Sequence, residues 1–186
     1  MPREFVTTIK TTGGDYTTLS AWTGTQSLDL TTGSTKVFYG SFTGSANFNA
    51  WGNAGLIRGG VDQGITGSAF IPTASFVNSS SAQILLKNIN NGNFAFAVGD
   101  QWLSGSSYFT INDVGNGEIG AISVAECYSK QDTVTVVLGG PFTSSIDNYV
   151  IVRTPLSERH TGSFTTSKYY LDGSTTLLSV RLVPLS

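Results

Sequence analysis

Ionised side chains are scarce in this sequence. Lysine, arginine, aspartate and glutamate make up 12% of the 186 residues, about half the share found in an average soluble domain. The net charge is −2, so the chain has no basic field to attract nucleic acid and no polybasic patch for an anionic membrane. We therefore expect neither nucleic acid nor a membrane as a partner.

Because charge normally keeps β-rich surfaces apart, we expect other subunits to cover part of the surface. A homo-oligomer, with a trimer as the first choice, is the simplest form.

Cysteine and histidine occur once each, as Cys127 and His160. A single cysteine excludes an intramolecular disulfide, which suits folding in a reducing compartment. Cys127 alternates into an apolar strand and is predicted to be a small buried hydrophobe. A single histidine excludes a multi-histidine metal site, and no metal-ligand spacing surrounds Cys127. His160 lies beside charged residues and is predicted to be in a surface loop. We therefore expect no cofactor and no metal.

Long apolar runs are missing as well. None approaches the length that spans a membrane, and the first ten residues, MPREFVTTIK, lack the apolar region and cleavage site of a signal peptide. These features predict synthesis in the cytoplasm. The glycine-, serine-, threonine- and asparagine-rich composition is instead typical of proteins that act outside cells. A virion component, made in the host cytoplasm and carried out on a particle, would combine both features.

Helical periodicity is confined to one short segment, and the rest of the chain alternates in short stretches separated by turns. About ten such strands at hairpin spacing predict an all-β fold, an antiparallel sandwich or barrel. Asn91-Gly92 and Asn116-Gly117 each predict a tight hairpin turn. A β-helix would need a repeat of constant length, and we find none. A short right-handed β-helix is therefore only the alternative to the sandwich or barrel.

A single domain over residues 1–186 is the default at this length. The stretch at 52–67 contains six glycines, too many for a stable element interior. It is predicted to be a long loop, or a seam between an N-terminal portion at 1–51 and a C-terminal sandwich or barrel at 68–186.

Residues 13–22, GGDYTTLSAW, combine residues typical of a tight turn, of a helix N-cap and of a buried apolar face. We name them the capping segment. The two glycines and the aspartate predict a tight turn. Thr17 or Thr18 can then cap a single helical turn, on which Leu19 and Trp22 share one face. With Tyr16, these side chains are predicted to cover the open end of a β structure.

The same segment carries a family resemblance. A strand, then GGDYTTLSAW, then a second strand ending VFYGSF, resembles the N-terminal part of phage and bacterial β-structural proteins. In those proteins a GGDYTTL-type helical turn caps a right-handed β-helix. The resemblance covers about the first sixty residues and implies a virion protein of the capsid-decoration or tail-fibre type; it brings no functional residues with it.

Two patterns are candidates for chemistry. Residues 115–120 match GxGxxG and follow a strand, but a dinucleotide site needs a helix at the third glycine, and β-branched residues follow instead. Asp113 and Glu118, across a predicted hairpin, are the best pair of carboxylates for a glycosidase. Most acidic residues lie beside glycine or asparagine, where they cap turns. We therefore expect no enzyme activity.

Aromatic residues near polar loops give a sugar-binding alternative. Trp51, Trp102 and Tyr108 could form stacking platforms, and Trp102, which precedes a serine-rich turn, is predicted to be the most exposed. Aromatic residues also dominate β cores and interfaces.

Two functions of different classes follow from the sequence. The first is a non-enzymatic structural virion protein, a decoration or cement protein that binds the major capsid protein or other virion subunits and stabilises a phage head. The alternative is a tail-fibre or receptor-binding tip that recognises a cell-surface glycan. A glycan depolymerase is the second alternative.

Overall fold

The computed structural model describes residues 3–26, 28–44, 51–72, 82–115, 121–128, 131–132, 136, 142–159 and 168–171. The strands and helices follow one another as β1 (Arg3–Ile9), α1 (Leu19–Thr25), β2 (Leu28–Asp29), β3 (Lys36–Thr43), β4 (Gly52–Arg58), β5 (Val61–Phe70), β6 (Ala82–Lys87), β7 (Gln101–Ser104), β8 (Ser107–Asp113), β9 (Ala121–Cys127), β10 (Gln131–Asp132), β11 (Phe142–Thr143), β12 (Val150–Arg153), a 3-10 turn (Leu156–Glu158) and β13 (Tyr170–Leu171). The fold is all-β with one short helix among these residues, which confirms the predicted fold class.

Six antiparallel strands close into a barrel in the order β3-β6-β5-β4-β7-β8. Because side chains alternate between the two faces of a strand, every second residue points into the barrel. The interior is filled by large apolar side chains, among them Phe38, Ile84, Leu86, Trp102 and Phe109. The barrel is therefore a packed core of its own.

A second sheet is parallel, with the order β1-β9-β12. Two short pairs, β2 with β11 and β10 with β13, are parallel too. The predicted antiparallel sandwich or barrel does not contain this direction of pairing, and only the alternative, a short right-handed β-helix, does; alternation along a strand gives no information about the direction of its neighbour. Parallel stacking of successive turns of the chain is the pairing found in β-helices. All six barrel strands lie between β2 and β9 in the sequence, so the barrel interrupts the parallel stack.

The barrel packs against the parallel sheet through its outer face. Val37 lies opposite Leu85, and Leu85 opposite Phe70, in one row across β3, β6 and β5. This row joins Phe5 and Ile9 of β1 in a second apolar cluster, between the barrel and the parallel sheet. Strand β6 is thus buried on both faces, which explains its unbroken apolar run at residues 84–86.

Side chains of the barrel also cover the outer edge of β1. The Tyr39 hydroxyl donates a hydrogen bond to the Glu4 carbonyl (3.2 Å), and the Gln83 Oε1 accepts one from the Val6 amide (3.3 Å). The Arg3 guanidinium stacks over the Tyr39 ring, 4.5 Å from its centroid, and pairs with Asp113 at 2.7 Å. The edge of β1 is therefore closed by its own chain.

The prediction of a loop at residues 52–67 is wrong, because the stretch forms most of the β4–β5 hairpin. Gly59 and Gly60, with φ of +56° and +81°, occupy the two central positions of its tight turn, where a type I′ turn requires positive φ. The remaining glycines are tolerated because a barrel strand gains its stability from neighbours on both sides. Strands from both sides of this stretch pair with each other, as β3 does with β6 and β8.

The two Asn-Gly dipeptides do not produce the predicted hairpins. Asn91-Gly92 lies in a turn after β6, but residues 93–98 form no strand. Asn116-Gly117 falls outside the described residues. The strands that flank it, β8 and β9, belong to different sheets, since β9 pairs in parallel with β1. The local turn signal was outweighed in both places by tertiary pairing.

Gly40 provides a test of packing in the barrel. An alanine Cβ there would lie 1.9 Å from the Thr110 carbonyl oxygen and 2.9 Å from the Phe109 ring. We expect Gly40→Ala to lower the free energy of unfolding by about 1–3 kcal/mol, measured by urea denaturation. Gly55→Ala is the matched control, because its Cβ would meet no atom within 4 Å. A Gly40→Ala protein as stable as the Gly55→Ala protein would contradict the packing described for Gly40.

Candidate functional site

The capping segment is held to β1 by its own backbone and by one carboxylate. The Asp15 Oδ2 accepts hydrogen bonds from the Thr8 amide (2.7 Å) and the Thr8 hydroxyl (2.9 Å). The Thr18 hydroxyl accepts one from the Ala21 amide and forms the N-cap of α1, as predicted for Thr17 or Thr18. The turn, the cap and the helix thus follow in the order read from the sequence.

Tyr16, Leu19 and Trp22 are all buried in the apolar cluster between the barrel and the parallel sheet. The Tyr16 ring stacks on Phe70 at 6.0 Å between centroids, and the Trp22 ring lies 5.3 Å from Phe142. The Tyr16 hydroxyl accepts a hydrogen bond from the Gln26 amide nitrogen (2.8 Å). Burial raises the pKa of Tyr16 to about 12. These side chains contribute to the core between the barrel and the parallel sheet, and the idea that they cover the open end of a β structure stays a prediction.

The structure separates the three aromatic residues considered for a glycan. Trp102 is completely buried inside the barrel, so the prediction that it is exposed is wrong. Its position in β7 puts it on the inward-facing side of the alternation, next to Phe96 at 6.0 Å. Gln101 and Leu103, on either side of Trp102, lie on the outer face of the barrel, whereas the nearby polar residues and the serine-rich turn had suggested an exposed position for Trp102.

Trp51 is half-buried, and several of its neighbours hold it. Its Nε1 donates a hydrogen bond to the Thr25 carbonyl (3.0 Å), and its ring lies 5.6 Å from Phe70. The Lys87 ammonium lies 3.9 Å from the ring centroid, and burial lowers the pKa of that lysine. Trp51 therefore joins α1 to the barrel.

Tyr108 is the remaining glycan candidate, and it lies half-exposed on the outer face of the barrel. It stands opposite Leu103 of β7, which is 38% exposed and in turn faces Gly55 of β4. Because Gly55 has no side chain, the row leaves one flat apolar area open to solvent. We name Tyr108, Leu103 and Gly55 the outer barrel row. An aromatic ring beside a flat apolar surface is a geometry on which a sugar face can stack.

A loop at residues 88–100 covers one end of the barrel, where Phe96 lies 5.1 Å from Phe38. Its last residue, Asp100, is almost completely buried and binds Arg58 of β4 through two hydrogen bonds of 2.7 Å. The Ala97 amide donates a third to the same carboxylate at 2.8 Å. Burial alone would raise the pKa of Asp100, but the bonds from Arg58 and Ala97 outweigh it and lower the pKa.

A second ion-pair network links the three parallel strands. The Arg153 guanidinium of β12 bonds Glu4 of β1 (2.9 Å) and Glu126 of β9 (3.3 Å). The Tyr128 hydroxyl donates a hydrogen bond to Glu126 at 2.8 Å. Burial, together with this carboxylate, raises the pKa of Tyr128 to about 12. One cation thus bridges two carboxylates on neighbouring strands.

The carboxylate pair considered for a glycosidase is only half described, because Glu118 lies outside the described residues. Asp113 accepts a hydrogen bond from the Gly115 amide and pairs with Arg3. These contacts lower the pKa of Asp113, whereas a general acid needs a raised one. The geometry gives Asp113 the role of anchoring β1 to the barrel.

The other candidates are placed as follows. Cys127 is buried, as predicted. His160 and most of the GxGxxG stretch fall outside the described residues. Within the described part of the chain, no group of three or more histidine, cysteine, aspartate or glutamate residues could hold a metal ion. Among those same residues, no helix is long and apolar enough to cross a membrane.

Comparisons with protein-family models, with curated proteins and with solved structures found no match for this chain. The resemblance of the capping segment to phage proteins therefore stays a prediction.

Sequence reasoning missed the ion pairs. Arg58 and Asp100 are 42 residues apart, and Arg3 and Asp113 are 110 apart. The aspartates were interpreted correctly as residues next to turns, but nothing in the sequence names their cationic partners. Only a correct topology, with β4 beside β7 and β1 beside the barrel, would have identified them.

Asp100 provides a test of the bond that closes the barrel end. We expect Asp100→Asn to destabilise the protein by about 2 kcal/mol at neutral pH, because the amide loses the negative charge and one of the two acceptor oxygens that bind Arg58 at this buried site. Since the folded-state pKa is depressed below its ordinary value of 3.8, the stabilisation is present above that value. It disappears as the pH falls below about 4, through the folded-state pKa.

The measurement is urea denaturation at neutral and acidic pH. The difference between wild type and Asp100→Asn should shrink in acid. Asp62→Asn is the control, because Asp62 is exposed and only accepts a bond from the Gly64 amide, which asparagine can also accept. Equal effects of the two substitutions would argue against a special role for Asp100.

Proposed function

We propose that this chain is a non-enzymatic structural component of a virion, and specifically a decoration or cement protein on a phage head. The observation that supports it most is what the charged side chains do. Asp100, Asp113, Glu4 and Glu126 all pair with arginines that join strands. These four carboxylates and their arginine partners hold the fold together, so they are not available to catalyse a reaction.

The mechanism of such a protein is passive. It would bind across neighbouring capsid subunits through apolar and backbone contacts, and binding to the assembled shell alone stabilises that shell by mass action. A chain in which only 12% of the residues are charged favours contacts of this kind, because little charge has to be dehydrated. In this proposal the chain is made in the host cytoplasm, acts on the virion as a homo-oligomer, and contacts the major capsid protein.

The test uses particles assembled from the genome that encodes this chain, with its gene deleted. We expect the purified protein to co-sediment with these heads and to raise the temperature at which they release DNA. It should not co-sediment with dissociated capsid subunits, because the binding surface forms only on assembly. Failure to bind intact heads would overturn the decoration proposal.

The outer barrel row favours a second candidate function, a receptor-binding tip that recognises a cell-surface glycan. Tyr108 and Leu103 present an aromatic ring beside an exposed aliphatic side chain, which suits stacking on the apolar face of a sugar. A glycan depolymerase has less support, since the lowered pKa of Asp113 suits an ion pair better than an acid catalyst.

A glycan array tests this candidate directly. If the chain is a receptor-binding tip, it should be retained on one class of glycan, and Tyr108→Ala should weaken that binding at least about tenfold through the loss of stacking. Tyr149→Ala is the control, because Tyr149 is a tyrosine that is 41% exposed and directly precedes β12 of the parallel sheet rather than lying on a barrel strand. Equal losses from both substitutions, or no retention at all, would exclude the outer barrel row as a glycan site.

A further inference from the structure

Strand β12 is the outermost strand of the parallel sheet. The Ser123 amide of β9 donates a hydrogen bond to the Tyr149 carbonyl (3.1 Å). Because alternate residues of a strand direct their backbone groups to opposite sides, Ile151 and Arg153 face β9, and Val150 and Val152 face outward. Among the described residues, no strand pairs with this outer edge. The edge therefore offers the amide and carbonyl groups that an added strand would use.

Exposed apolar side chains concentrate around the same strand. Seven large hydrophobic residues of the described chain are exposed, and four of them lie on or beside β12: Ile146 (74%), Tyr149 (41%), Val152 (39%) and Leu156 (80%). The other three are on the barrel or its covering loop. An open strand edge flanked by apolar side chains is the usual form of a surface that another β-strand covers.

The opposite edge of the sheet decides what kind of strand can bind. On the outward side of β1, Tyr39 bonds the Glu4 carbonyl and Gln83 bonds the Val6 amide, while Asp15 and Tyr16 bond the amide and the carbonyl of Thr8. A second copy therefore cannot place its β1 edge on β12, and head-to-tail stacking into a filament is blocked. Among the described residues, the edge of this sheet that has no partner is β12, which leaves an isologous contact about a two-fold axis.

The charge on β12 permits such a contact. Two-fold pairing would bring the Arg153 side chains of both copies near the axis, where two unpaired cations would repel each other. Each Arg153 is, however, held between Glu4 and Glu126 of its own chain. The charge of Arg153 is therefore neutralised within each chain before the two β12 strands pair.

We propose that β12 pairs antiparallel with β12 of a second copy about a two-fold axis. The two three-stranded sheets then form one continuous sheet, with Ile146, Val152 and Leu156 of each copy covered at the contact. The inference does not rest on a role in a virion: the contact belongs to the chain itself, so the dimer and the capsid binding can fail separately.

The central experiment is a charge exchange at Val152, read by sedimentation equilibrium. The wild type should have twice the 19.6 kDa mass of the chain. In the antiparallel registers that pair most of the four residues of β12 with the other copy, the two Val152 side chains lie directly opposite or diagonal to each other, ~5–8 Å apart. Val152→Glu and Val152→Lys should therefore each be monomeric, and an equimolar mixture of the two should recover the dimer.

Val61→Glu is the matched control, because Val61 is a valine, 62% exposed, on the β4–β5 hairpin of the barrel. It should remain a dimer. Recovery of the dimer by the mixture identifies an isologous contact. If β12 instead bound a different surface, that surface would be unchanged in both variants, and mixing them would not restore binding.

Val152→Pro tests the backbone itself. Proline removes the outward amide of Val152 but leaves the bonds from Ile151 and Arg153 to β9, and proline is tolerated on edge strands. We expect a monomer that unfolds within a few degrees of the wild type. A monomeric or trimeric wild type, a dimeric Val152→Pro protein, or single-charge variants that stay dimeric would overturn the proposal.

Discussion

The contact on which both halves of the structure depend is made by the ring of Phe70. This residue ends β5 of the barrel but points outward, where it lies 6.0 Å from Phe5 of the parallel sheet and 6.0 Å from Tyr16 of the capping segment. Trp51 approaches it from the side at 5.6 Å. One side chain thus meets the barrel, the sheet and the helical segment, and removing its ring would leave a cavity where all three meet.

The sequence predicts the features that depend on neighbouring residues, but it does not predict those that depend on which face of a strand is buried. The all-β class, a helix N-cap at Thr17 or Thr18 and the buried position of Cys127 follow from signals within a few neighbouring residues. The inward direction of Trp102 does not, because Gln101 before it and the serine-rich turn after it fit an exposed position as well as a buried one. The phase of alternation is settled only when the barrel closes and one face becomes its interior.

The direction in which the strands pair could not be predicted from the sequence for a related reason. An antiparallel hairpin leaves a local signal in its turn, as the glycines at positions 59 and 60 do for β4 and β5. The parallel pairing of β1 with β9 leaves none, since the two strands are joined only through the whole barrel. The candidate sites share this limit. The outer barrel row brings β4 beside strands that are distant from it in sequence, and the edge of β12 is defined by the lack of a further strand among the described residues.

The interruption of the parallel stack by the barrel has a consequence for synthesis. Strand β1 leaves the ribosome before its partner β9, which begins only at Ala121, so at ordinary elongation rates β1 waits for on the order of ten seconds before it can pair. During that interval the barrel hairpins can already form, because their strands are close in sequence. Tyr39 and Gln83 then supply a first place for β1 to bind. The insertion can in this way act as a folding template that shelters the nascent strand until its partner is made.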